Sequence, residues 1–314
     1  MRYWLDDSGR WSGGGTAVLN NIRSASEEYP DVFSRRESKD AIALVPRNVP
    51  TDVKRLLRPF VWMPQNALSW APRIPDDARL QFKLRLATEL VSLRTQSMVR
   101  IGGSIPPLRA GVTSPILPNV LDNNFEACLA AAEPNSAAAG AFLAVGPAHS
   151  YRNLVPVVRG FRHYRANGGV SRLLIQTSGG LPAEETKLKE LAAGTDGFEL
   201  RLRPADRCEV ISLMKASRAI LLPSSVEASP LTMLEAHAAG IPVACSDITA
   251  HRELGDGNEI LFHPDSVSDV AETMHRLDDA DRMATNPLQD LGNRSKQRSR
   301  WASALAAFLM GLDQ

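Results

Sequence analysis

The stretch PSSVEASPLTMLEAHAAGIPV, residues 223–243, decides the fold. It follows an apolar run at 219–222 and reads as a strand end, a short polar loop, one helix and the start of the next strand. Ser229 is placed to cap the helix, Pro230 suits its first position, and Gly240 stands where it stops. A helix begun in this way leaves backbone N–H groups without partners near Leu231 and Thr232. Those groups, with the positive end of the helix dipole, favour an anion such as a phosphate. Two carboxylates bracket the position: Glu227 in the loop and Glu235 in the helix, with seven residues between them. A carboxylate accepts hydrogen bonds from both hydroxyls of a vicinal diol. The pair therefore suits a ligand with sugar on either side of a diphosphate.

Around this stretch, strand and helix patterns alternate regularly, which predicts a doubly wound parallel sheet. Strands are expected at 142–145, 173–176, 198–202, 219–222, 243–245 and 260–262. Helices are expected to begin near Leu154, Ala183, Arg207, Pro230, Ile248 and Ser266. Ala-rich sequence at 130–139 reads as a linker, dividing the chain into an N-terminal domain, 1–136, and a C-terminal domain, 137–314. A last amphipathic helix is expected over 294–312, with Trp301, Leu305, Phe308, Leu309 and Leu312 on its apolar face.

The spacing Glu227…Glu235, followed by EAHAAGIPV, resembles the donor-site signature of the retaining glycosyltransferases of family four, which have the GT-B fold. The resemblance implies α/β architecture: two Rossmann-like domains facing a central cleft, and a final helix crossing back to the first domain. It implies transfer of a sugar from a nucleotide-diphosphate-sugar donor to a hydroxyl acceptor, a saccharide or lipid-linked saccharide. Glu227 would contact the donor sugar, Glu235 the ribose, and Ser229, Pro230, Leu231 and Thr232 the diphosphate. Val145-Gly146-Pro147 and Tyr151-Arg152-Asn153 resemble the family's first strand and loop in that domain. Arg152 stands at its lysine position, as a catalytic cation on the leaving diphosphate, whereas Pro147 replaces its arginine. Ser178, after the second strand, and Arg203, where relatives cradle the base, join the donor-binding set. The mechanism implied needs no metal and no cofactor beyond the co-substrate, since helix dipole and cation replace a D-x-D site. His237 reads as a packing residue. A catalytically degenerate nucleotide-sugar-binding protein is the alternative reading.

The first half carries weaker signals. Residues 3–5, 41–45 and 60–63 read as strands. Gly14 and Gly15, in a glycine-rich run before a helix at 17–28, would let the backbone approach a ligand closely, and the resemblance implies that they face the donor phosphates. Gln65 and Asn66, past a strand end, are the acceptor-side candidates. Residues 79–100 read as one amphipathic helix with a basic face, solvated or laid against anionic lipid headgroups. The segment SPILPNVLD, 114–122, resembles the one that closes this half in the family.

Composition sets the outer bounds. The 314 residues suffice for two domains, and 44% hydrophobic with 23% charged residues describes a globular chain. A formal charge of +1 gives no general pull towards nucleic acid. Cys128, Cys208 and Cys245 lie far apart in sequence, which predicts no disulfide framework and a reducing compartment. The polar N-terminus and the lack of a long apolar run predict a cytoplasmic protein, with peripheral contact to the inner membrane face as its sharper variant.

Overall fold

The computed structural model describes residues 2–6, 14–34, 41–46, 60–65, 67–71, 78–93, 95–108, 112–279 and 291–312. Two parallel sheets organise them. The first is formed by β1 (Arg2–Leu5), β2 (Phe33–Ser34), β3 (Ala41–Val45), β4 (Phe60–Trp62) and β5 (Thr95–Met98), in the order β2-β1-β3-β4-β5. The second is formed by β6 (Phe142–Val145), β7 (Leu173–Thr177), β8 (Phe198–Leu202), β9 (Ala219–Leu222), β10 (Val243–Ser246) and β11 (Ile260–Phe262), in the order β11-β10-β9-β6-β7-β8. Every strand pair in both sheets is parallel.

Buried parallel strands read as continuous apolar runs because both faces are covered. Successive side chains then divide between two cores. Phe142, Ala144, Leu173, Ile175, Ala219 and Leu221 enter one core, beneath α4 (Leu154–Ala166) and α9 (Val267–Asp279). Leu143, Leu174, Ile220 and Leu222 enter the other, beneath α6 (Arg207–Ala216) and α7 (Leu231–Ala238). Completing this layer set are α5 (Pro182–Ala193) and α8 (Thr249–Leu254).

The final helix, α10 (Leu291–Gly311), returns to the first sheet and packs on α1 (Gly14–Glu28). Its expected apolar face is the one used: Trp301, Leu305 and Leu309 are buried in the core of the first sheet, with Phe308 and Leu312 at its edge. Cations at the start of this helix bind protein. Arg294, itself buried, and Arg298 both donate to Glu126 at 3.0 Å.

Two expectations change. Residues 79–100 do not form one helix. The helix α2 (Ala78–Ser92) stops and the chain re-enters the sheet as β5, whose Thr95 and Ser97 are buried polar residues. A strand whose inward positions are hydroxyls leaves no apolar alternation to read, since Thr95 Oγ1 instead donates to Val91 O at 2.8 Å. The burying face of α2 carries Thr88 and Val91, while Phe82, Leu86, Leu90 and Leu93 are exposed, Phe82 by 68% and Leu93 by 67%.

The cysteines are the second correction. Cys128 and Cys208 form a disulfide across 80 residues. Part of the supposed linker is helix, α3 (Asn123–Ala131), and it packs against α6, which brings the two Cα atoms to 4.8 Å. Sequence distance hides this, because only the return of α3 onto the second sheet's helix layer makes them neighbours. Cys245 is a free, buried thiol, and burial pushes its pKa up to about 12.

In denaturant without reductant, one thiol reacts with a thiol reagent, and all three react after reduction. Cys128→Ser lowers the unfolding free energy by about 2–4 kcal/mol in denaturant titration. Three reactive thiols before reduction would refute the pairing.

Candidate functional site

The second sheet reverses its winding between β6 and β9, and open parallel sheets bind ligands at such a switch point. The loop after β6 runs to α4 on one face, and the loop after β9 runs to α7 on the other. Between them lies an ion pair: Arg152 Nη1 donates to Glu227 Oε1 and, at 3.2 Å, to Ser224 Oγ. Arg152 ends a short 3-10 turn, and its guanidinium also lies over the Tyr151 ring, on which His149 stacks. Burial pulls the Arg152 pKa down, but the Glu227 carboxylate and Tyr151 outweigh it and hold the pKa above the ordinary value. Arg152 Nε is buried with no hydrogen-bond partner.

Helix α7 begins one residue later than its sequence suggests. Pro230 is the N-cap and supplies no side-chain cap bond. Ser229, expected to cap, is used by the other half of the chain. Its Oγ accepts from Asn119 N–H at 3.0 Å, and its carbonyl accepts from Asn119 Nδ2 at 3.0 Å. The amides of Leu231 and Thr232 therefore begin the helix uncapped, and the first turn closes from Met233 N–H to Pro230 O at 3.1 Å. At its far end Gly240, at φ 70°, donates to His237 O while Ile241 donates to Ala236 O. This double bond pattern needs a left-handed residue at that position, and glycine takes it without strain.

The same loop is pressed from the first sheet's side. The turn after β5 places Ser104 Oγ 2.8 Å from Glu227 O and Gly103 N 2.8 Å from Glu253 Oε2. A Cβ on Gly102 would stand 2.1 Å from Ala228 O, so only glycine lets these backbones meet.

Glu235 is buried on α7 and is held by Arg207, the first residue of α6. Arg207 Nε donates to Glu235 Oε1 at 2.8 Å. Nη2 stands 2.7 Å from the same oxygen, but off the axis of a hydrogen bond, so that buried N–H has no bond of its own. Nη1 donates to Asp122 Oδ1, and the guanidinium covers the Phe125 ring at 5.4 Å. Asp122 also caps α3 through Phe125 N–H and accepts from Asn20 Nδ2 of α1 at 2.8 Å. Burial raises the Glu235 pKa and Arg207 opposes the rise, while Asp122 adds to it; the net pKa stays above the ordinary carboxylate value.

The remaining sequence candidates divide. Gly14 and Gly15 are the first two residues of α1, not a loop before it. Ser178 is exposed, on a loop that the Ala148–Gly180 bridge ties to the loop after β6. The Arg203 guanidinium is engaged by Glu209, with one bond at 3.0 Å, while its carbonyl accepts from Gln176 Nε2. Gln65 Nε2 donates to Met63 O at 3.0 Å. Asn66 lies outside the described residues. His237 faces Glu259 Oε1 at 2.8 Å, and with Asp256 these form a three-residue group able to hold a metal ion. Both Glu259 oxygens already accept from backbone, at Asp256 and Gly257.

Sequence reasoning missed Arg207, Asn119 and the turn at 102–104. Asp206 followed by Arg207 carried only a cap signal, for Asp206 accepts from Glu209 N–H at 2.8 Å.

Known proteins sharpen this picture. The two doubly wound sheets with their returning helix define a GT-B fold. An alpha,alpha-trehalose-phosphate synthase (UDP-forming) from Burkholderia vietnamiensis superposes with a TM-score of 0.67, 11% identity, and coverage of 98% of this chain and 80% of that one. The synthase from Burkholderia xenovorans in complex with glucose-6-phosphate gives 0.65, 12%, 92% and 77%. The Escherichia coli protein bound with UDP-2-fluoro glucose gives 0.63, 11%, 93% and 77%. Residues 140–279, which contain Arg152, Arg207, Glu227 and Glu235, match the family described as Glycosyl transferases group 1. Among curated proteins no sequence matches.

One buried histidine supports the site's floor. His251 Nδ1 lies 2.8 Å from Ser246 O, and Ser246 Oγ donates to Ser224 O, the residue that also meets Arg152. Burial holds the His251 pKa below its ordinary value. The unfolded chain therefore takes up a proton, near pH 6.5, that the folded chain refuses, so stability falls as pH drops through that value. The melting temperature should decline between about pH 7.5 and 5.5, and the decline should shrink in His251→Asn, whose amide can keep the bond to Ser246 O. An equal decline in both proteins would remove His251 from the account.

Proposed function

We propose that this protein is a retaining glycosyltransferase, moving a sugar from a nucleotide-diphosphate-sugar donor to a hydroxyl acceptor. One observation carries the reading: a buried carboxylate, Glu235, and a half-buried one, Glu227, flank the uncapped start of α7, and each is held by a guanidinium. The diphosphate lies against the Leu231 and Thr232 amides and Arg152. Glu235 accepts the ribose hydroxyls, and Glu227 orients the sugar. The bond from the anomeric carbon to the diphosphate oxygen breaks as the acceptor oxygen forms its own bond to that carbon. The acceptor's proton passes to the departing oxygen on the same face. Charge developing on the diphosphate meets donors already in place, the electrostatic kind of stabilisation that contributes most where water is excluded. No metal or other cofactor is required in this scheme. The family match over residues 140–279 and neighbours whose names include UDP and glucose-6-phosphate support a nucleotide-sugar donor and a saccharide acceptor.

Pro147 favours a second reading, a nucleotide-sugar-binding protein without transfer, because it leaves the loop after β6 with Arg152 as its cation at this pair. Titration calorimetry with UDP, GDP and dTDP should find one nucleotide that binds. Glu235→Ala should weaken it about ten- to hundredfold, the worth of a hydrogen bond to a charged group. Labelled-sugar transfer should fall in Glu227→Gln with nucleotide affinity kept. Binding without transfer selects the second reading, and no binding by any of the three removes both.

The exposed stripe Phe82, Leu86, Leu90 and Leu93 favours an acceptor presented at a membrane surface, with α2 lying in the interface. Helix α2 packs on the Leu68–Trp70 turn, which with Tyr151 and Val226 closes one side of the cleft. The protein should float with vesicles of anionic phospholipid, and Phe82→Ser with Leu86→Ser should abolish flotation. Flotation unchanged by the two substitutions would separate membrane contact from this helix.

A further inference from the structure

Resting on the donor-site reading, we infer that Arg207 is a positioning residue for nucleotide binding: it keeps Glu235 ionised and aimed at the ribose without serving as a ligand to the diphosphate. Several observations converge on it. Arg207 stands at the start of α6, outside the Glu227…Glu235 segment, yet its guanidinium touches the buried carboxylate by one bond and one close contact, at 2.8 and 2.7 Å. Both fall on Oε1, so Oε2 is the oxygen left to a diol. Its own orientation is fixed from behind by Asp122, whose side chain is 2% exposed, and from one face by Phe125. A cation that can neither turn away nor reach solvent freely selects one rotamer of its partner.

Charge leads to the same role. A carboxylate buried this deeply favours its neutral form, and a nearby acid makes ionisation harder still. Asp122 is that acid, and Arg207 is the cation acting against both effects. On neighbouring elements the charges are already matched. Glu126 of α3 holds Arg294 and Arg298, and Glu253 of α8 takes the Gly103 N–H. Neutral His251 lies on the same helix as Glu253. A hydroxyl donates about twice as strongly to an ionised carboxylate as to a neutral oxygen. Removing Arg207 thus leaves Glu235 buried beside Asp122 with no cation against it, and ribose binding acquires a steeper pH dependence than that of the wild type.

The test is calorimetric affinity for UDP, or for whichever of GDP and dTDP the wild type prefers, between about pH 6 and 8.5. Four proteins are compared: wild type, Arg207→Met, Glu235→Gln and the double variant. Arg207→Met should bind about tenfold more weakly at neutral pH, more weakly still at the acid end, and recover towards the alkaline end. In the Glu235→Gln background the same change should have little further effect, since the group it acts through no longer titrates. A structural role would instead weaken binding equally at every pH and in both backgrounds, and would overturn the inference. Arg207→Lys carries the same test if the Met variant does not unfold cooperatively; a lysine keeps the charge but not the fork, so its pH midpoint should lie between the other two. If Glu235→Gln binds like the wild type, the donor-site reading itself fails and this inference fails with it. If Glu235→Gln is weakened while Arg207→Met is not, only the inference falls.

Discussion

Glu235 is buried and Glu227 half-buried, and a carboxylate withdrawn from water costs free energy unless a cation stands beside it. The structure meets that requirement twice, with Arg152 for the loop and Arg207 for the helix. Each arginine comes from a different connection of the second sheet, so the two pairs fix how three βα units sit around one crevice. The same pairs keep α7's first amides facing that crevice, because Glu227 and Glu235 lie on either side of them. Stability is a weak reason to retain such pairs, since burying an ion pair gains little over apolar packing. A site that must present two aimed carboxylates is a better one.

The first sheet contributes by closing on this arrangement. Asn119 takes both the hydroxyl and the carbonyl of Ser229, Ser104 takes the carbonyl of Glu227, and Gly102 lets the chain lie against Ala228. Three consecutive residues, Glu227, Ala228 and Ser229, are thus contacted by backbone or short polar side chains from the other half. Apolar contacts at Leu68, Tyr151 and Val226 add to the seam, and α10 straps it through Glu126. The loop between the two glutamates is therefore held from both domains, which is how a cleft can keep a flexible-looking sequence such as SSVEASP in one conformation.

Much of this was legible in the chain. The central strands of the second sheet, β6, β7, β9 and β10, are short, largely apolar runs buried on both faces, whereas β8, FELRL, could be read from alternation. The final helix could be read because Trp301, Leu305 and Leu309 keep one face over several turns. What stayed hidden has a common physical cause. Arg207 lies 28 residues from Glu235 and 85 from Asp122, and Cys128 lies 80 from Cys208. Periodicity reports local structure and which face is buried, but it carries no record of which polar residues meet across layers. Ser229 shows the same limit at short range: its type and position suit a cap, yet a partner from the other half claimed its hydroxyl.

That substitution of partner bears on how the crevice would receive an anion. Had Ser229 capped α7, its side-chain oxygen would occupy the amides that a phosphate needs. With the hydroxyl turned to Asn119, the helix start is left with the proline N-cap, which has no side-chain group to offer. An uncapped, partly buried helix start is unfavourable by itself, because its N–H groups lose water and gain nothing. Here it stands near Arg152, whose Nε is buried and unpaired. Unsatisfied donors rarely gather in a folded interior, where most polar groups find partners. On the reading proposed above, the amides at the start of α7 and the Arg152 guanidinium are the donors that a diphosphate would complete.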